Sequence, residues 1–122
     1  MKQRTVLVTC VDKYMGEAIA KRFVEPDYLV ITDNQPLISQ SQCEELVHSV
    51  GDVDVLVANL AEPPKSSAVQ DIKNEDWGAL FSNLVDPLMF LVRAIAPQML
   101  ERKSGKIIAV TSAAPLKGLA NN

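Results

Sequence analysis

Four short runs of apolar and β-branched residues punctuate the chain: Thr5 to Thr9 (TVLVT), Tyr28 to Thr32 (YLVIT), Val53 to Asn59 (VDVLVAN) and Lys106 to Ser112 (KIIAVTS). Each has the length of one strand, and near-continuous apolar character marks a strand covered on both faces. The segments between them read as helices. One spans roughly Met15 to Val24, with Ala18, Ile19 and Phe23 on one side, and ends at Glu25-Pro26-Asp27. A second runs from near Ser39 to Val50; Ser41 and Glu44 have capping-box spacing and Gly51 stops it. A long helix starts at Asn74 as N-cap and reaches about Arg102. Kinks are predicted at Pro87 and Pro97, and Gly105 ends the helix.

Strands alternating with helices imply right-handed crossovers and a parallel sheet. The fold class expected is therefore α/β, a Rossmann-like doubly wound parallel sheet that is incomplete, with about four strands. Such sheets bind ligands beyond the carboxyl ends of their strands, where the strand order reverses. Functional residues are expected in Thr9 to Gly16, Thr32 to Asn34, Asn59 to Glu62 and Thr111 to Pro115.

Composition narrows the partners. The chain has 122 residues, 48% hydrophobic and 22% charged, with a net charge of −3. One domain with an ordinary core is expected. The acidic balance argues against nucleic acid, whose phosphates call for a basic surface. The cluster Arg102, Lys103, Lys106 reads as a solvated helix end. Cys10 and Cys43 have no metal or redox spacing and are expected as free thiols. His48 is the sole histidine, which removes Ser-His-Asp triads and histidine metal sites; no metal is expected. The first apolar run is too short for a signal peptide or a membrane span, so a cytoplasmic protein with no membrane partner is expected.

The segment TCVDKYMGEA (Thr9 to Ala18) follows the first strand, where a dinucleotide fold carries its glycine-rich loop. Only Gly16 remains, suited to close helix–strand packing. Cys10 adds a Cβ at the turn. Tyr14 brings a ring that either swings into solvent or fills the space of a former cofactor. Asp33 stands where an acidic side chain would hold a ribose hydroxyl, although Asp is also common at strand ends. Ser112 can hold a substrate oxygen, or cap a turn. Asn83 is a polar residue within the long helix, facing solvent or a water in the site.

Together these landmarks resemble the short-chain dehydrogenase/reductase superfamily over the whole chain, which would make residues 1–122 the N-terminal part of a single such domain. The resemblance implies a catalytic Ser at Ser112 and a helical Asn at Asn83, working with a Tyr and a Lys that follow. Departures are plain: T-G-x-x-x-G-x-G appears as Thr9 through Gly16 with one glycine, and N-N-A-G appears as Ala58-Asn59-Leu60-Ala61. Between Tyr28 and Val53 there is room for one helix, so one strand of the family sheet is expected to be missing. Within the superfamily the loop, through Thr9, Tyr14 and Gly16, is most similar to that of the halohydrin dehalogenases, T-x4-F/Y-x-G.

That narrower resemblance implies a lyase with no cofactor. A tyrosinate deprotonates a vicinal haloalcohol, halide leaves, and an epoxide forms; small anions reverse the step. Thr9, Tyr14, Gly16, Asn59 and Ala61 would line the substrate and halide pocket. The alternative is an NAD(P)-dependent oxidoreductase with a degenerate loop, using Asp33 for the cofactor. A third reading is a non-catalytic interaction module. The family's S-x12-Y spacing puts the catalytic Tyr beyond Asn122, so the chain by itself is expected to be an inactive fragment of an enzyme. A homo-oligomer built on the long helix is also implied.

Overall fold

The computed structural model describes every residue except 1, 24, 64, 113, 119, 121 and 122, and at 115 the side chain is also left aside. Four parallel strands, β1 (Arg4–Val8), β2 (Tyr28–Thr32), β3 (Val55–Ala58) and β4 (Lys106–Ala109), form one sheet in the order β2-β1-β3-β4. From β1 the chain crosses to one side to make β2 and to the other to make β3. The expected α/β, Rossmann-like arrangement is observed, and the segment between β2 and β3 holds a single helix and no additional strand.

Alternation along β1 and β3 sorts their side chains onto two faces. Val6, Val8, Val55 and Val57 point to one face, against Ile19, Ala20 and Phe23 of the first crossover. Leu7 and Leu56 point to the other. There they meet Cys43, Leu46 and Val47 of α2 (Gln40–Val50) and Leu91, Ile95 and Met99 of the long helix. These spacings of three or four keep one helical stripe on the sheet. Burial holds the Cys43 thiol well above its usual range, at about 11, so it is a neutral core group.

The helices depart from expectation in instructive ways. The first, α1 (Gly16–Ala20), is a short piece that gives way to turns at Lys21; the expected end at Val24 lies outside the described residues. In α2 the cap is Ser39, whose Oγ accepts from the Gln42 N–H at 3.3 Å, while Gln42 Oε1 accepts from Ile38 N–H at 3.0 Å. The Ser41–Glu44 pair does not cap. Gly51 does end the helix, at φ 81°.

The long helix has three parts: α3 (Asn74–Leu80), a π-helical turn (Phe81–Val85) and α4 (Asp86–Arg102). Lys73, not Asn74, occupies the cap position. The irregularity precedes Pro87, which lacks the N–H that an unbroken α-helical ladder would use there. Lys103 closes the helix in a left-handed conformation, φ 54°, two residues before Gly105. Gly105 instead lets the chain pass the Met99 side chain, which a Cβ would overlap. By length and composition, residues Asn74–Arg102 could cross a membrane; here Leu91, Ile95 and Met99 pack on the sheet.

Arg102 is not a solvated helix end. Its Nη2 donates to the Val53 carbonyl at 2.7 Å and its Nη1 to Gln98 at 2.8 Å, with Asp52 at 3.1 Å. Gln98 in turn accepts from the Val53 N–H. This network ties the end of α4 to the entry of β3.

Candidate functional site

The carboxyl ends of β1, β2 and β3 meet at the reversal of strand order, and a cavity of about 240 Å³ opens there. Cys10 and Lys13 line it from the first loop. Asn34, Pro36 and Leu37 come from the segment after β2, Ala61 and Glu62 from the loop after β3, and Asn83 from the π-helical turn. A larger open groove runs between α2 and α4 along Glu44, His48 and Asp52, apart from this cavity.

The first loop keeps an unusual backbone. Cys10 and Tyr14 both have positive φ, 46° and 53°, although neither is glycine. Each such residue costs about 1–2 kcal/mol relative to an unstrained position, so neighbouring contacts must hold the loop. Asn59 supplies two of them. It is fully buried, and its Nδ2 donates to the Cys10 and Lys13 carbonyls, both at 2.9 Å. Thr9, also fully buried, donates its Oγ1 to the Asn59 carbonyl at 2.9 Å. The loop is anchored to β2 as well: Val11 N–H donates to the Asp33 carbonyl and Asp12 N–H to Asn34 Oδ1. Gly16 packs so closely on Val11 that any Cβ would collide with that backbone. Asn59 Oδ1, a buried acceptor, has no hydrogen-bond partner among the described residues.

The sequence-derived residues divide into three groups. Thr9, Gly16 and Asn59 build the loop and lie behind the cavity wall. Cys10, Ala61 and Asn83 face the cavity. Tyr14 and Ser112 do neither: Tyr14 is 65% exposed and outside the lining. Its left-handed backbone carries the ring into solvent, so the reading in which Tyr14 fills a vacated cofactor space is corrected. Ser112 is exposed beyond β4, its Oγ accepting from the Ala114 N–H at 3.1 Å in a turn; Ala113, part of the loop expected to carry function, lies outside the described residues.

Two groups have shifted acidities at this end of the sheet. Burial pushes the Cys10 thiol up, partly opposed by the charge on Lys13. Burial also raises Asp33, against hydrogen bonds from Gln35 that lower it. Asp33 Oδ2 accepts from the Gln35 N–H at 3.2 Å, and no ion pair engages Asp33 among the described residues. Sequence reasoning missed how Glu62 is used: its Oε2 accepts from Asn83 Nδ2 at 2.7 Å. It also missed that the segment after β2 closes the cavity with Pro36 and Leu37.

Comparison with known proteins decides the family. A model of the short chain dehydrogenase family matches residues 34–122. The chain belongs to this family. An NADP-dependent 3-hydroxy acid dehydrogenase of Salmonella typhi is 30% identical, aligned over 89% of this chain and 54% of its own length. A serine dehydrogenase from Escherichia coli matches at 25% identity and a TM-score of 0.85, covering 96% of this chain and 66% of that one. A protein described as a dehalogenation enzyme matches at 25% identity and a TM-score of 0.81, covering 98% and 58%. The chain spans about half the length of the curated relatives it matches.

These findings correct the expectation of a cofactor-free protein, because relatives are named as NADP- and NADPH-dependent oxidoreductases. The lyase class finds no support among the curated relatives. The residues present fit a nucleotide: the first loop retains a left-handed path at two of its positions, and exposed Tyr14 leaves the cavity open. At about 240 Å³ the cavity is below the range of roughly 300–1,000 Å³ usual for small-molecule pockets.

Proposed function

We propose that the chain is the nucleotide-binding part of an NAD(P)-dependent short-chain oxidoreductase, and that the nucleotide is NAD(H) in preference to NADP(H). The family match with its NADP-dependent relatives supports the first part. Asp33 carries the second. Its carboxylate stands directly after β2, held by one backbone N–H and paired with no cation among the described residues. An acidic side chain there accepts from a ribose 2′-hydroxyl and repels a 2′-phosphate.

When bound, the nicotinamide would supply hydride transfer. This chain's residues would do the holding: Asp33 the ribose, the loop from Cys10 to Gly16 the phosphates, and Ala61 the cavity wall. Asn83 and Ser112 would contribute to the catalytic set. The substrate is a small molecule with a hydroxyl or carbonyl group. Exposed Trp77, Phe81, Val85 and Met89, four residues apart along one continuous helix, support a homo-oligomer through that face. Two free cysteines support a reducing, cytoplasmic setting.

Fluorescence titration of the complete enzyme with NADH and NADPH tests the proposal. NADH is expected to bind at least about tenfold tighter, some 1.4 kcal/mol, a modest effect for like charges at a partly exposed site. Asp33→Ser should shrink that ratio. Equal affinities would refute the NAD preference, and binding of neither nucleotide would refute the oxidoreductase.

A further inference from the structure

Glu62 makes the shortest polar contact on the cavity wall. Its Oε2 lies 2.7 Å from Asn83 Nδ2. Both residues are half-buried and both line the cavity. Asn83 lies in the π-helical turn, an irregularity that recurs at functional sites because it re-aims side chains out of the regular helical row.

Glu62 stands on a fixed base. Three residues earlier, Asn59 is fully buried and bonded through Nδ2 to two loop carbonyls. Leu60 packs against the core beneath α4. The cation nearest in sequence, Lys65, feels the Glu62 charge but is hydrogen-bonded to Asp76 at 2.6 Å, and among the described residues Asn83 is the hydrogen-bond partner of the Glu62 carboxylate.

An ionised carboxylate accepts only, whereas an amide offers a donor end and an acceptor end. Glu62 therefore selects the orientation of Asn83: Nδ2 must face the carboxylate, and Oδ1 is left to accept from a hydroxyl or a water. We propose that Glu62 is a positioning residue that fixes the Asn83 amide in this orientation for the reaction. The proposal rests on the reading of Asn83 as part of the oxidoreductase's catalytic set.

The test uses the complete enzyme with Glu62→Ala, Glu62→Gln, Asn83→Ala and the double variant Glu62→Ala/Asn83→Ala. Removing the carboxylate is expected to lower kcat about tenfold, the rate equivalent of one hydrogen bond to a charged group. KM for the nucleotide should stay within about twofold, since the contact is not made to it. Glu62→Gln, which keeps an acceptor, should recover most of the rate. The double variant should be no slower than Asn83→Ala alone, because the two side chains act as one unit. Multiplicative losses, or a change confined to KM, would overturn the proposal.

A second readout separates this from the function itself. In ¹⁵N-labelled protein without ligand, the side-chain amide signals of Asn83 should shift and exchange faster in Glu62→Ala but not in Glu62→Gln. Unchanged signals in Glu62→Ala would overturn the positioning role. A wild-type enzyme without nucleotide-dependent turnover would instead overturn the oxidoreductase reading and, with it, the catalytic purpose given to Glu62.

Discussion

Replacing Asn59 by Ala and by Asp should give two different instabilities, and their ratio tests which end of the amide holds the loop. Asn59 Nδ2 donates to the Cys10 and Lys13 carbonyls at 2.9 Å each. At about 1 kcal/mol net per hydrogen bond, Asn59→Ala should destabilise by about 2 kcal/mol. Water can then reach both carbonyls, because Lys13 is exposed and Cys10 half-buried. Asn59→Asp keeps the shape and removes the donor. It sets a carboxylate oxygen against two carbonyl oxygens at a fully buried position. The expected loss at neutral pH is about 4 kcal/mol, in the range for an unpaired buried charge.

The two variants also differ in pH dependence. Burial raises the folded-state pKa of the new Asp above its unfolded value of about 3.9. The charge penalty is therefore absent below the unfolded value and grows as pH rises toward the folded one. Urea denaturation at pH 3.5 and pH 7 would measure this: the Asp variant should approach the Ala variant in acid and fall well below it at neutrality. Equal stabilities at pH 7 would refute the assignment of Nδ2 to the loop carbonyls. A wild-type-like Ala variant would refute the claim that Asn59 holds the loop at all.

Three further outcomes follow from the same loop and its neighbour. Cys10→Gly and Tyr14→Gly should each raise stability by about 0.5–1 kcal/mol, the relief of a left-handed residue less the entropy of a new glycine; a thermal melt that falls for both would contradict the strain. Gly16→Ala should cost about 3 kcal/mol, because the new Cβ meets the Val11 backbone, which cannot yield as a side chain could; retained stability in denaturant would show that this packing is loose. Asp33→Asn should stabilise the fold at neutral pH and leave it unchanged near pH 3. Burial raises the Asp33 pKa, so its ionisation in the folded state is a cost that appears only as pH rises through that window; a gain in acid instead would reverse the sign of the shift.

The strands were legible because they obey a local rule. Continuous runs such as Tyr28–Thr32 are read directly from residue type, and the order of elements then dictates a parallel sheet. Helix ends were less so, because two glycines carry different duties. Gly51 caps a helix, whereas Gly105 makes room for Met99 and leaves Lys103 to adopt the left-handed turn. The role of Arg102 was hidden for a similar reason: charge suggests solvent, but the Val53 carbonyl 49 residues away takes it. In the site, loops could be located from strand ends, and Asn83 faces the cavity as a candidate should. The exposed setting of Tyr14 depends on backbone conformation, which residue type does not reveal. The Glu62–Asn83 contact joins positions 21 apart through a π-helical turn, and no motif announces it.

The position of β1 has a consequence for how the protein is made. It is an interior strand, hydrogen-bonded to β2 on one side and β3 on the other, yet it is made before the other three described strands. Its second partner ends at Ala58, 50 residues after Val8 (58 − 8). At about 5–20 residues per second of synthesis, that partner trails by roughly 2.5–10 s. Collapse of short chains takes microseconds, so Val6, Leu7 and Val8 have ample time to find wrong neighbours. Leu91 and Ile95, which cover Leu7 from α4, arrive later still. The buried residues Val6 to Val8 thus wait for both neighbouring strands during translation, and a chaperone that shields short apolar segments would act on them early.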